Sequence, residues 1–206
     1  MAPAVLTDFK VAERIAEASQ RPRARITGAV YLLYFLTAVS TTFLIGPKLV
    51  VYNDAANVIS VACYIAVTLL FYDMFKPVNS HLSLFAALLS LVGCAITTLG
   101  VFDLAPPHIS PLLFFGPYCM LLGYLIFRST FLPRILGVLM AFAGLGWLIF
   151  LSPPLASHLS SYLKVLGVVA EGLLMLWLLA FGVNVQRWKE QASAAELLTR
   201  KPSSIA

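Results

Sequence analysis

A chain of 206 residues that is 60% hydrophobic and only 11% charged, with a mean hydropathy of +0.90, is excluded as an ordinary water-soluble globule, in which about 25% of residues are charged. Apolar runs of about 20 residues, enough helix to cross a hydrocarbon core of about 30 Å, recur along it. The formal charge of +5 sits in short basic clusters beside these runs. Lipid headgroups and membrane orientation account for such clusters better than nucleic acid does, so the bilayer is the expected partner and no nucleic acid is.

Residues 1–25 are mixed polar and basic and lack the apolar core of a secretory signal. Leu6, Phe9, Ala12, Ile15 and Ala16 recur at helical spacing among charges, a pattern shared by an interfacial amphipathic helix and a frayed tail. Six spans follow, expected at 26–45, 55–75, 82–102, 112–128, 134–151 and 162–183. Breakers separate them: Pro47, Pro77, Pro106 with Pro107, Pro133, and Pro153 with Pro154. Short links imply antiparallel neighbours. The expected fold class is therefore all-α, a polytopic membrane helical bundle. It comprises a cytoplasmic segment 1–25, a six-helix transmembrane domain 26–183 and a cytoplasmic tail 184–206.

Orientation follows from the cations. Of the 14 Lys and Arg, all but Lys48 and Lys164 fall on the side of the N-terminus, a positive-inside bias that puts both termini in the cytoplasm. Arg25-Ile26-Thr27-Gly28 opens the first span and Arg134-Ile135-Leu136-Gly137 the fifth. A repeated hairpin and a chance likeness of two membrane-entering segments both fit this echo.

Thr27, Tyr31, Tyr34, Thr37 and Thr41 stack on one face of the first span, and Asn57, Ser60, Tyr64, Thr68 and Tyr72 on one face of the second. Lipid satisfies neither hydroxyls nor amides, so these stripes are expected to turn toward other helices or a wet cavity. Ser83, Ala87, Ser90, Cys94 and Thr97 line one face of the third span, and Gly137, Ala141, Gly144 and Gly146 thin the fifth. Small residues of this kind let backbones approach closely and mark scaffold helices. Gly116-Pro117 predicts either a kink in the fourth span or its true start. Cys63, Cys94 and Cys119 have no C-x-x-C spacing and read as small packing residues.

The sixth span, VLGVVAEGLLMLWLLAFGV at 165–183, carries one carboxylic acid, Glu171. Hydrocarbon disfavours the carboxylate anion. Glu171 is thus expected as the neutral acid, donating to a neighbouring helix at the depth of Tyr34 or Tyr64. Lys164, two turns away on the same face, is too far for a direct pair unless its side chain bends inward. An intramembrane acid of this sort defaults to a functional role such as a proton relay or a substrate contact. The candidate pocket residues are Glu171, Tyr34, Tyr64, Tyr31, Asn57 and Thr68. On the opposite membrane face Asp54, Asp103, His108 and His158 fall in predicted connections and form a weak metal-ligating set, lacking helical ligand spacing. Asp54 fits equally as a cap for the second span. Asp73 is expected to pair with Lys76 at the surface. No G-x-S-x-G motif and no histidine within a span supports a serine nucleophile or haem ligation, and no cofactor is expected.

The strings GYLIFRSTFLPRILGVLMAFAGLGWL at 123–148, RITGAVYLL at 25–33, KPVN at 76–79 and AEGLLMLWLLAFGVNVQRW at 170–188 resemble the bacterial membrane-protein family catalogued as domain of unknown function 4386. Leu132-Pro133-Arg134 and Gly182-Val183-Asn184 carry the likeness most specifically, and it extends over nearly all of the chain after residue 24. It implies a small multi-pass protein of the bacterial inner membrane and supplies no activity. The leading functional expectation is a non-enzymatic protein whose polar pocket around Glu171 binds or moves a small molecule or a proton. A structural or regulatory membrane subunit is the alternative, and a membrane enzyme using the outer His and Asp residues comes third.

Overall fold

In hydrocarbon only a helix satisfies all of its backbone amides within one segment, and among the described residues every regular element is a helix. The computed structural model describes residues 22–40, 50–105 and 109–200. Within them run α1 over 22–40, α2 Val50–Phe75, α3 Ser80–Val101, α4 Leu112–Arg128, α5 Arg134–Ile149, α6 Pro153–Ala180 and α7 Val185–Arg200. Three are long and apolar enough to cross a membrane, namely α3, α6 and α2 from Tyr52 onward, while α4 and α5 are shorter apolar helices. By length and composition these are the helices of a membrane protein. Their outer faces agree: Leu84, Phe85 and Leu88 of α3, and Val165, Val169 and Leu176 of α6, are exposed, whereas Ser83, Ser90 and Glu171 point inward.

Sequential helices from α2 to α6 pack side by side, and α1 closes the ring by touching both α2 and α6. Its crossing with α6 is backbone to backbone: a Cβ on Gly28 would stand 2.7 Å from the Leu179 amide nitrogen. At the other side of the ring, α4 and α5 meet through two glycine pairs in antiparallel register. A Cβ on Gly123 would lie 2.6 Å from the Gly137 carbonyl oxygen, and one on Gly144 would lie 2.6 Å from that of Gly116. Gly28 and Gly137, which correspond in the sequence echo, thus both sit at close crossings.

Local sequence explains the connections. Asn79 of KPVN accepts the Leu82 amide at 3.0 Å and caps α3, satisfying a donor that the first turn leaves free. Pro133 precedes α5 as its N-cap residue, with Leu132 buried before it and the Arg134 guanidinium 5.7 Å from the centre of the Phe127 ring. Gly182, at φ 68°, ends α6 by donating to the Trp177 carbonyl at 3.1 Å, a left-handed stop that glycine adopts without Cβ strain. Asn184 then accepts the Arg187 amide at 3.2 Å and opens α7.

Several expectations change. Within the segment 184–206, expected as a cytoplasmic tail, Val185–Arg200 form α7, which lies across the end of the bundle. There Trp188 donates to the Met74 carbonyl at 2.9 Å, and Arg187 to that of Thr130 at 3.3 Å. Helix α6 begins at Pro153, nine residues earlier than expected, because proline fits the first turn of a helix, where its missing amide costs nothing. His158 is therefore helical, and Asp54 lies within α2 rather than capping it. Pro117 lies inside α4, so it does not mark that helix's start. Asp73 pairs with Arg23 at 3.3 Å, not with Lys76. The amphipathic pattern of residues 6–16 and Thr41 lie outside the described residues.

Candidate functional site

The inner faces of α1 to α6 leave a half-enclosed cavity of about 280 Å³. Every helix contributes to its wall: α1 with Tyr34 and Ala38, α2 with Asn57, Ser60, Val61 and Tyr64, α3 with Cys94 and Thr97, α4 with Phe115 and Cys119, α5 with Trp147, and α6 with Glu171. A second space of about 260 Å³ shares Tyr34, Ala38, Trp147 and Glu171 with the first and continues along α6 past Gly167 to Lys164. Gly167 sets the position of the wall between them, since a Cβ there would fall 2.6 Å from the Trp147 indole.

Glu171 lies on the side of α6 that faces α1, about two turns from the Gly28 crossing, and the residue is 8% exposed. With α6 starting at Pro153, the residue lies about 27 Å along the axis from that end, at a rise of about 1.5 Å per residue. The Tyr31 hydroxyl donates to the Glu171 Oε2 at 3.2 Å. This differs from the partnership expected with Tyr34 or Tyr64: the Gly28 crossing brings Tyr31, which is 1% exposed, against α6. Tyr34 and Tyr64 face Glu171 across the cavity instead. Their ring centres stand 4.6 Å apart at 55°, and Phe115 meets Tyr64 edge to face at 5.4 Å and 90°. The rings thus form walls rather than a flat stack.

Asn57 lines the same cavity. Thr68, also singled out from the sequence, lies below it and is joined to Ser90 of α3 at 2.6 Å. The hydroxyls of Thr27, Thr37, Thr97 and Thr98 donate to carbonyls one turn back on their own helices. The stripes therefore divide, with their cavity-facing parts in the upper turns of α2 and the middle of α1, and the rest engaged in packing. Tyr118, buried beside Tyr64, has a hydroxyl with no hydrogen-bond partner among the described residues; Thr68 is close to it but is bonded to Ser90. Sequence reading did not single out Trp147, Phe115, Ala38 or Cys119 for the cavity. The aromatic pair carries a usable signal in retrospect, because each ring stands opposite a glycine, Trp147 against Gly167 and Phe115 against Gly93.

Among the described residues no ion pair involves Glu171. Lys164 shares the second space with it but is exposed at its edge. Among the outer-face candidates, Asp103 closes α3 in a left-handed turn at φ 56°, His158 and Asp54 lie in helices, and His108 is outside the described residues. No three His, Cys, Asp or Glu side chains gather into a metal-holding group among the described residues.

The family model described as Domain of unknown function (DUF4386) matches residues 106–182. The resemblance read from the sequence is found there, over a shorter stretch than the expected run from residue 25. The matched stretch holds α4, α5, α6 and the Gly182 stop, and it supplies Phe115, Cys119, Trp147 and Glu171 to the cavity, while Tyr34, Asn57 and Tyr64 come from outside it. The chain is also similar to an uncharacterized protein of Archaeoglobus fulgidus, with 27% identity over 120 residues, or 55% of this chain and 74% of that one. No solved structure matches.

Proposed function

We propose that the protein is a six-span protein of the bacterial inner membrane with both termini in the cytoplasm, whose bundle binds or moves a small molecule or a proton at Glu171. The observation that carries this reading is the cavity itself. Helices α1 to α6 all wall it, and the acid on α6 lines it without a cationic partner among the described residues. Burying an ionisable group in a membrane bundle is costly, and packing alone is served as well by a neutral amide. The arrangement supports a function in which the carboxyl exchanges a proton or meets a ligand.

The test is water access. In a background with Cys63, Cys94 and Cys119 replaced by Ala, single cysteines at 57, 60 and 34 are expected to react with a water-soluble thiol reagent in membranes, and one at lipid-facing 62 is not. Uniform protection of 34, 57 and 60 would overturn the pocket. Glu171→Gln then separates the roles: unchanged transport or binding together with unchanged stability excludes a proton relay.

A structural or regulatory subunit is the second reading. The Tyr31–Glu171 and Thr68–Ser90 bonds favour it, because each joins two helices. It predicts protection at all three cysteine positions and a loss of thermal stability on breaking either bond.

A further inference from the structure

The walls of the cavity differ in chemistry from those of a general apolar pocket, and the difference specifies a ligand. The carboxyl of Glu171 stands among the rings of Tyr34, Tyr64, Phe115 and Trp147. No Lys, Arg or His of the described residues lines that space. We propose that it takes a small organic cation, a quaternary or protonated amine with an apolar or aromatic body, an assignment that rests on reading the cavity as a binding site.

Three considerations lead there. In a medium of low dielectric a carboxyl group is held as its anion most readily by an opposite charge placed close to it, and no cation of the described residues pairs with Glu171. Aromatic faces attract cations whose charge is spread and weakly hydrated, and quaternary ammonium groups are commonly held by such rings. A hard inorganic cation instead asks for six or more oxygen ligands at close range, whereas this lining offers one carboxyl, with its hydroxyls and amide dispersed over other helices. The volume of about 280 Å³ lies just below the usual range of ligand sites, about 300–1,000 Å³, and suits an amine with a single ring. Lys164, at the edge of the adjoining space, repels a cation from that side and leaves the chamber of Asn57, Ser60 and Tyr64 as its seat.

The test compares phenyltrimethylammonium with tert-butylbenzene, which has the same shape and no charge, using the full-length protein in detergent. Binding of the labelled ammonium compound is measured directly and the neutral compound is added as a competitor. The ammonium compound is expected to bind, with tert-butylbenzene competing at least about tenfold more weakly. Glu171→Gln, whose amide oxygen still accepts from Tyr31, is expected to lower affinity about tenfold or more. Trp147→Leu is expected to lower it several-fold, and Trp147→Phe less. Thermal unfolding of each variant establishes that it is folded. Equal competition by the neutral compound, or wild-type affinity in Glu171→Gln or Trp147→Leu, overturns the cation assignment and leaves a pocket for neutral molecules. Failure of both compounds to bind overturns the cation assignment, and whether the pocket reading falls with it is decided by the cysteine labelling at 34, 57 and 60.

Discussion

At the scale of single residues, two buried tyrosines, Tyr31 and Tyr118, separate a hydroxyl that has a partner from one that lacks it among the described residues. Tyr31→Phe removes the donor to Glu171 and leaves a buried carboxyl oxygen unmatched, so it is expected to destabilise the protein by about 1–3 kcal/mol. Tyr118→Phe removes a buried hydroxyl without a hydrogen bond and is expected to leave the melting temperature unchanged or raise it. Paired thermal melts in detergent check both, and a larger loss for Tyr118→Phe would reverse the assignment. Gly167→Ala puts a methyl group into the Trp147 indole, a rigid ring that must shift bodily. A shifted tryptophan emission and a smaller binding capacity are expected, and an unaltered spectrum would contradict the close contact. Glu171 was visible in the sequence because a carboxyl interrupts an apolar run. Its partner was not, since Tyr31 and Tyr34 share one face of α1 and only the crossing at Gly28 decides which of them reaches α6.

At the scale of elements, the pairing of α4 with α5 depends on the absence of side chains at four positions. Gly137→Leu is expected to force the helices apart, at a cost of about 1–3 kcal/mol or more, seen as a drop in melting temperature. The same change at Gly100, where a Cβ would meet only the Ala105 side chain at 3.9 Å, is expected to cost far less. The small-residue pattern of the fifth span announced a close contact, since Gly137, Ala141 and Gly144 recur at one-turn spacing on one face. Two other elements were harder to read. Pro153 and Pro154 look like breakers, yet they serve as the opening turn of α6, because whether a proline ends or starts a helix depends on which side of it the apolar run lies. Helix α7 has no apolar run to announce it. Its place is fixed by the Asn184 cap, the buried Val185 and the bond from Trp188 to α2, and a hydropathy reading is blind to such contacts.

For the whole molecule, the apolar runs reveal the helices and the even distribution of breakers reveals that neighbours run antiparallel; both come from composition at the length of a membrane crossing. The cavity was legible only as two polar stripes and an acid, because the turns at which six inner faces fail to fill the centre depend on how all the helices cross. The proposed topology predicts that a C-terminal reporter is active in the cytoplasm and that a cysteine at 103 is labelled from outside the cell; labelling from inside would invert the bundle. At the end bearing Arg23 and Asp73, α7 bonds to the last turn of α2 and to the loop between α4 and α5, so two parts of the bundle are fastened to a single crossbar. Any breathing that widens the mouth beside Asn57 must then pivot about this fixed base. Amide exchange is expected to be slowest around Met74, Thr130 and Trp188, and shortening the chain at Gly182 should loosen the distant chamber without touching one of its walls.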